Sequence, residues 1–254
     1  MEPESPLEPH DPGETAPVEV RPRPPRWGLG DFLVGLVGGW ALASLVAVLW
    51  FEITGEEELN LTGQALSQIG LWTGMVGASL AASRKKGAGR LSEDFGFRAR
   101  WPDLGLGVLV ALAVQLLVLP AIAILLRPLL GEPEVSGPVQ DLLDDAQGLA
   151  FFGLVLSVAV GAPLVEELFF RGLLLRSLQR RIPDWAAVAV SAVAFGLAHG
   201  SALQVEGVVL VMVSLTVFGA ILAMLAIRTG RLGPGIVAHA IFNLFTLLYL
   251  TFTG

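Results

Sequence analysis

The sequence contains no cysteine, and only 15% of its residues are charged, whereas soluble domains carry about a quarter. Without cysteine the chain has no disulfide, no thiolate metal ligand and no cysteine nucleophile. The shortage of charge, with 54% hydrophobic residues and a mean hydropathy of +0.69, excludes an ordinary soluble domain. The composition therefore points to a protein that lies in a membrane.

Apolar runs mark the predicted membrane spans. A helix that crosses a bilayer needs about 18 apolar residues or more. Such runs occur at about 29–51, 61–83, 104–126, 146–165, 185–205, 207–227 and 232–253. The second run is the weakest, because Gln64, Ser67 and Gln68 interrupt it. We predict an all-α, polytopic bundle of about seven transmembrane helices, and an eighth re-entrant or interfacial element in 131–147 remains open.

The N-terminal segment differs from the rest of the chain. Residues 1–27 are rich in Pro and Glu and poor in large apolar side chains, which predicts a disordered tail. The segment lacks the basic start and apolar core of a signal peptide. Residues 28–254 are predicted to form the transmembrane domain. No internal repeat is detectable in it, which disfavours a transporter built from inverted repeats.

Basic residues occur in alternate loops. The first loop has four glutamates and no Lys or Arg, whereas the second has six basic residues, and the pattern continues to the C-terminus. Arg127 is the one exception outside the motifs. The positive-inside rule then predicts a cytoplasmic N-terminus and an outside C-terminus. Nothing resembles a nucleic-acid-binding patch, so the predicted surroundings are lipid and not nucleic acid.

Two adjacent carboxylates and an arginine lie in one of the most apolar runs, at Glu166, Glu167 and Arg171. Ionisable groups at membrane depth are costly and commonly mark a functional site. Glu167 and Arg171 are four residues apart on one helix face, so they can pair. Glu166 points about 100° away and needs a partner elsewhere, such as a water that it activates. The alternative is an interfacial Glu–Arg cluster that ends a helix.

A histidine, His199, follows Phe195 on the predicted fifth span. Such a histidine can simply be satisfied by a backbone carbonyl. However, Glu166 lies 17 residues before Pro183 and His199 lies 16 after it. With a rise of 1.5 Å per residue, both side chains of a helical hairpin that turns at Pro183 lie at nearly the same height. We therefore expect them to be partners, and we expect the fifth helix to break near Gly200, with irregular backbone at 200–206 lining a cavity.

The last span carries His239 and Asn243, which share one helix face. Asn in a membrane helix often links helices. A His–Asn pair at this spacing could equally donate hydrogen bonds to a developing oxyanion. Both possibilities stay open at this point.

Together these motifs resemble a known family. Glu-Glu-x-x-x-Arg at 166–171, Phe-x-x-x-His at 195–199 and His-x-x-x-Asn at 239–243 occur in order on three apolar segments. This pattern is similar to that of the intramembrane endopeptidases called CAAX proteases, or the CPBP or Abi family, which include bacteriocin-processing and immunity proteins. The resemblance covers the motif-bearing core at 148–254.

The resemblance implies a hydrolase whose site opens toward the cytoplasmic leaflet. Glu166 would activate a water with help from His199, and His239 and Asn243 would stabilise the oxyanion. Glu167, Arg171 and Phe195 would support them. We favour a mechanism without metal. The alternative is a zinc site in which Glu166, His199 and His239 are the ligands.

The expected partner is a peptide or protein substrate, membrane-bound or with a lipid anchor. Abundant Ala, Gly, Leu, Val and Arg indicate a GC-rich prokaryote and its plasma membrane, where prenylated substrates are not expected. Two other functions remain open. One is a catalytically silent immunity or regulatory protein on the same scaffold, and the other is a small transporter or proton pathway.

Overall fold

The computed structural model describes residues 25–133, 135–200 and 205–253. Within these ranges the chain is helical and has no strand, which confirms the all-α prediction. We number the helices in chain order: α1 Leu29–Thr54, α2 Leu61–Lys86, α3 Leu91–Asp94, α4 Pro102–Leu130, α5 Gly137–Asp145, α6 Leu149–Gln179, α7 Asp184–Leu197, α8 Val205–Thr229 and α9 Gly233–Thr253.

Among the described residues, five helices are long and apolar enough to cross a membrane: α1, α4, α6, α8 and α9. Helix α2 has 26 residues, but Gln64, Ser67 and Gln68 lower its hydropathy. Helix α7 is apolar but has only 14 residues. A multi-pass membrane protein is therefore clear, whereas the count of about seven spans and the cytoplasmic N-terminus stay predictions.

The outer surfaces of the long helices suit lipid. Large apolar side chains on α1, α4 and α6 are among the most exposed in the protein, including Val34 at 71%, Ile124 at 73% and Phe152 at 69%. In water such an apolar surface would drive association. In a bilayer it meets lipid tails at no cost, so it is expected on a membrane protein.

Helix α6 is the central element. Every residue from Glu167 to Leu174 is buried, and this segment contacts α1, α2, α7 and α8. Helices α1 and α2 form a hairpin against it. Gly39 and Gly74 let the two backbones touch, because a Cβ on Gly74 would collide with the backbone of Gly39. Gly74 and Gly39 thus serve packing within the chain.

A buried carboxylate organises the end of the bundle that carries the basic loops. Asp94 of α3 accepts hydrogen bonds from Trp27 Nε1, Ser83 Oγ and the Ala88 amide. Burial raises the pKa of Asp94, but these hydrogen bonds outweigh it, so the pKa is lowered overall. The network ties the start of the described chain, the end of α2 and the following loop into one unit.

The predicted additional element in 131–147 corresponds to α5, a short helix with Leu143 packed against Leu154 and Leu247. The predicted tail is not tested, since residues 1–24 lie outside the described residues. Trp27, at its predicted end, is buried. Helix α7 ends at Leu197, near the predicted break at Gly200. Of the expected irregular stretch 200–206, residues 201–204 lie outside the described residues, and α8 is already helical from Val205.

Candidate active site

The backbone that carries the glutamates departs from an ordinary α-helix. Helix α6 contains two π-helical stretches, Ser157–Gly161 and Glu167–Leu174. Such wider turns are rare and are frequent at functional sites. Glu166 lies between them, at the end of an α-helical segment. The local change of winding sets the direction in which the two adjacent carboxylates point.

Glu167 and Arg171 form the predicted ion pair. Arg171 Nη1 lies 2.9 Å from Glu167 Oε1, and both side chains are fully buried. Arg171 also donates from Nη2 to the Gly219 carbonyl of α8. Its guanidinium carbon lies 4.1 Å from the centre of the Phe195 ring, a favourable cation–π distance. Two buried charges are tolerated here because each has an opposite partner.

The same glutamate reaches the last helix. His239 Nδ1 lies 3.2 Å from Glu167 Oε1. The ring of His239 packs edge-on against Phe195 and Phe218, with centroids 5.6 Å apart in each case. A carboxylate accepts and does not donate, so Nδ1 of His239 carries a hydrogen. The contact fixes the ring so that Nε2 faces the other way.

That other nitrogen faces Glu166. His239 Nε2 lies 3.8 Å from Glu166 Oε2, and His199 Nε2 lies 3.6 Å from the same oxygen. The side chain of Glu166 is 13% exposed and that of His239 is 4% exposed. Sequence reasoning predicted that Glu166 and His199 would meet, and the structure brings them together. It also adds His239 to the same point.

His199 is oriented from behind. Its Nδ1 lies 2.8 Å from the Phe195 carbonyl oxygen, and since a carbonyl only accepts, this nitrogen is the donor. In the neutral ring Nε2 then has a free lone pair, directed at Glu166. The backbone contact that could have been a purely structural explanation of His199 therefore also selects the tautomer needed for chemistry.

Asn243 links two helices. Its Nδ2 donates to the Val158 carbonyl at 2.8 Å, within the first π-helical stretch of α6. The helix-linking role that the sequence left open is thus present. One amide hydrogen of Asn243 remains after this bond, and the residue lines the same cavity as the two histidines. Its structural role and a second role at the site are compatible.

A cavity of about 1010 Å³ has the site at one end. Its walls are largely apolar and come from α1, α2, α6 and α7, with further residues from α5, α8 and α9. Glu166, His199, His239 and Asn243 all line it. Apolar pockets with a few converging polar groups are the usual form of a binding site. The volume is ample for several residues of a peptide.

Sequence reasoning missed the wall opposite the glutamates. Trp72 of α2 lines the cavity, and a Cβ on Gly161 would lie only 2.5 Å from its ring. Gln68 and Met75 of α2 continue the wall. The polar residues that made α2 the weakest predicted span were the available signal, because polar side chains in a membrane helix commonly face a cavity.

A zinc centre is the alternative that the sequence left open. Three ligand atoms must surround one point for such a site. Within the described part of the chain no group of three His, Asp or Glu side chains has an arrangement suited to a metal ion. The zinc mechanism remains the alternative that direct metal analysis decides.

The comparisons with known proteins identify the motif-bearing part. Residues 148–245 match the family model described as type II CAAX prenyl endopeptidase, Rce1-like. The match covers less than half of the chain, and over this part the chain is similar to the CAAX proteases. No curated protein and no solved structure gives a significant match. The match covers α6 to most of α9, so it contains all the predicted site residues, and it confirms the resemblance that the three motifs gave.

The match to the CAAX protease model, together with the long apolar helices, indicates a membrane hydrolase that acts on peptides or proteins. The family match says nothing about which side of the membrane the cavity faces. Nor does it test the individual roles of Glu166, His199, His239 and Asn243.

Proposed function

We propose that the protein is an intramembrane endopeptidase in which Glu166 activates the attacking water. The observation that carries the proposal is the convergence of His199 Nε2 and His239 Nε2 on one oxygen of Glu166. That oxygen is buried and has no hydrogen-bond partner among the described residues. An unpaired buried carboxylate oxygen is costly, and a water at the cavity end supplies the missing hydrogen.

The charges at the site fit this chemistry. Glu166 and Glu167 are negative and Arg171 is positive, so one further proton makes the group neutral. Placed on His239, that proton gives an imidazolium held by Glu167 at Nδ1, with an N–H on Nε2. His199 stays neutral and accepts. A water can then donate one hydrogen to Glu166 and the other to His199.

Cleavage follows from these positions. Glu166 takes a proton from the water while the water oxygen attacks the peptide carbonyl carbon, so that a C–O bond forms and the carbonyl oxygen becomes an oxyanion. The Nε2–H of His239 and the second amide hydrogen of Asn243 stabilise that oxyanion. The C–N bond then breaks, and the proton held by Glu166 passes to the leaving amine.

The supporting residues have separate tasks. Glu167 holds His239 in the donor tautomer, Arg171 balances Glu167, and Phe195 packs against both histidine rings. Action at the cytoplasmic leaflet, which the resemblance implied, is part of the proposal. The substrate is a peptide or protein that reaches the bilayer.

The test is cleavage of a quenched peptide library by purified protein in nanodiscs. Glu166→Gln keeps the shape of the side chain and removes its basicity, so we expect cleavage to fall by a factor of about 10² to 10⁴. His199→Ala should fall similarly. Glu93→Gln makes the same change on a carboxylate that is 51% exposed, and it should cleave like the wild type.

Full cleavage by Glu166→Gln would overturn the proposal. A biological phenotype that survives Glu166→Gln would instead favour the silent immunity or regulatory protein, since binding does not need the base.

A further inference from the structure

Two arginines at the basic end of the bundle, where the loops after α2, α6 and α8 lie, have no carboxylate partner among the described residues. Arg98 lies in the loop between α3 and α4, and Arg176 lies near the end of α6. The ion pairs within the described ranges involve neither of them. The two positive charges are close enough to act on each other, so an anion between them would stabilise both.

The side chain of Arg176 is held in place by the backbone of two loops. Its Nη2 donates to the Gly230 carbonyl, in the turn between α8 and α9, at 3.2 Å. The same guanidinium lies directly over Gly96, where a Cβ would collide with it. Gly96 also has a φ of 68°, which favours glycine. Arg176 is therefore partly buried and oriented, unlike an arginine that moves freely on a surface.

The same two loops fix the backbone of Arg98. The Leu232 amide donates to the Gly96 carbonyl at 2.8 Å, and the Gly233 amide donates to the Arg98 carbonyl at 3.1 Å. Because these bonds join the loop before α4 to the turn that also holds Arg176, both arginines belong to one hydrogen-bonded unit. Two arginines with fixed backbones suit an anion with several acceptor oxygens, such as a phosphate.

The carboxylate on the neighbouring helix α4 is already paired. Asp103 Oδ2 lies 3.0 Å from Arg231 Nε and accepts the Arg100 amide hydrogen, and the side chain of Asp103 is buried. Lys and Arg outnumber Asp and Glu in the loops of this end. The positive charge of Arg98 and Arg176 is therefore not offset by the described part of the chain.

Exposed apolar residues place this pair at the surface of the bilayer. Trp101, three residues after Arg98, is 87% exposed, and Leu104 on the first turn of α4 is 49% exposed. Tryptophan is enriched where membrane helices meet the lipid headgroups. Helix α4 is long and apolar enough to cross the membrane from Pro102 onward. The two arginines therefore lie at the depth of the lipid phosphates, which favours a lipid over a soluble anion.

We propose that Arg98 and Arg176 bind the phosphate of an anionic phospholipid in the leaflet at the basic end. Basic pockets between membrane helices commonly bind such headgroups, and the acyl chains lie along the exposed apolar side of α4 from Leu104. The bound lipid joins the end of α6 to the turn before α9. These two helices carry Glu166 and His239, so the lipid stabilises their relative position. The proposal does not depend on the peptidase function.

Thermal unfolding of the purified full-length chain in a neutral detergent tests this site without a cleavage assay. The probe is phosphatidylglycerol, and phosphatidylcholine with the same acyl chains is the comparison without net charge. We expect phosphatidylglycerol to raise Tm by about 5 °C at about ten times its dissociation constant, and phosphatidylcholine to raise it much less. Arg98→Gln changes an exposed side chain, so it should keep the lipid-free Tm and lose most of the shift. Adding Arg176→Gln should remove the rest.

The matched control removes two charges elsewhere at the same end. Arg84→Gln with Lys85→Gln changes two exposed residues in the last turn of α2 and should keep the full shift. Equal losses in the two double variants would overturn the proposal, because diffuse attraction would then explain the binding. No shift in the wild type, or equal shifts with the two lipids, would also overturn it. Glycerol phosphate lacks the acyl chains and should give no shift at the same concentration, and a shift as large as that of the lipid would indicate a soluble anion instead.

Discussion

At the scale of single residues, the site depends on pairing buried charges. Glu167 is the centre of this pairing, because Oε1 lies 2.9 Å from Arg171 and 3.2 Å from His239. The i, i+4 spacing predicted the first contact. The second joins residues 72 positions apart, and no local pattern reports such a contact. The sequence predicted that Glu167 supports the site, but it did not predict that Glu167 contacts His239.

Glu167→Gln should destabilise the protein by about 3–5 kcal/mol, because it leaves Arg171 buried without an anionic partner. The measurement is the midpoint of unfolding in mild detergent with increasing SDS. The control is Glu93→Gln, which removes the exposed Arg90–Glu93 pair and should change stability by less than about 1 kcal/mol. Equal effects of the two variants would contradict the account of Glu167.

Glu166 and His199 show what sequence reasoning reaches. Their separations along the chain from Pro183 predicted that they lie at the same height in the helical hairpin. In the structure His199 Nε2 lies 3.6 Å from Glu166 Oε2. The arithmetic works because α6 and α7 form an antiparallel hairpin with a short turn. It could not include His239, because the short turn before α9 relates His239 to α8 and not to the glutamates of α6.

At the scale of elements, the π-helical stretches of α6 escaped prediction. The segment contains Pro163, which lacks the amide hydrogen of an ordinary helix residue and lies just after the first stretch. The two stretches also pack against neighbouring helices, the first against α9 and the second against α1 and α2. The approach of α2 at Gly161 is one such contact. Helix propensity describes only the local preference of each residue, so it does not predict the effect of packing against another helix.

Gly161→Ala should destabilise the protein by about 1–3 kcal/mol, because the new methyl group would lie 2.5 Å from the Trp72 ring. Adding Trp72→Leu should restore much of the loss, and the double-mutant cycle measures the coupling. The control is Gly153→Ala, where a Cβ meets no atom of the described residues within 4 Å. Equal losses of stability in Gly161→Ala and Gly153→Ala would contradict the contact between Gly161 and Trp72.

The lowered pKa of Asp94 leads us to expect that the stability of the fold depends on pH. Its folded-state pKa is lowered, so the ionised form stabilises the fold above the ordinary carboxyl pKa, and this contribution is lost as the pH falls below about 4. Thermal unfolding in nanodiscs should show a falling Tm there. Asp94→Asn should lower the free energy of unfolding at neutral pH by about 1–3 kcal/mol, which appears as a lower Tm. It should also reduce the fall of Tm at acid pH. An unchanged acid decline in Asp94→Asn would assign it to other carboxyls.

At the scale of the whole molecule, hydropathy predicted an all-α membrane bundle because lipid permits few other folds. The membrane-spanning character of α2 and α7 remains a prediction, because neither helix is a uniformly apolar span. Helix α2 presents Gln64 and Gln68 to the cavity and α7 ends early beside His199, so both depart from a uniform apolar span. Membrane helices at a functional site carry polar residues and breaks that reduce the signal used to find them.

The most direct test of the central claim is a metal and activity measurement on one purified sample. Wild type and Glu166→Gln are assayed for peptide cleavage in nanodiscs, and the metal content of the same preparations is determined. The account predicts cleavage by wild type without a stoichiometric metal ion, unaffected by a chelator, and its loss in Glu166→Gln. Bound zinc that is needed for cleavage would contradict it and would make Glu166, His199 and His239 metal ligands.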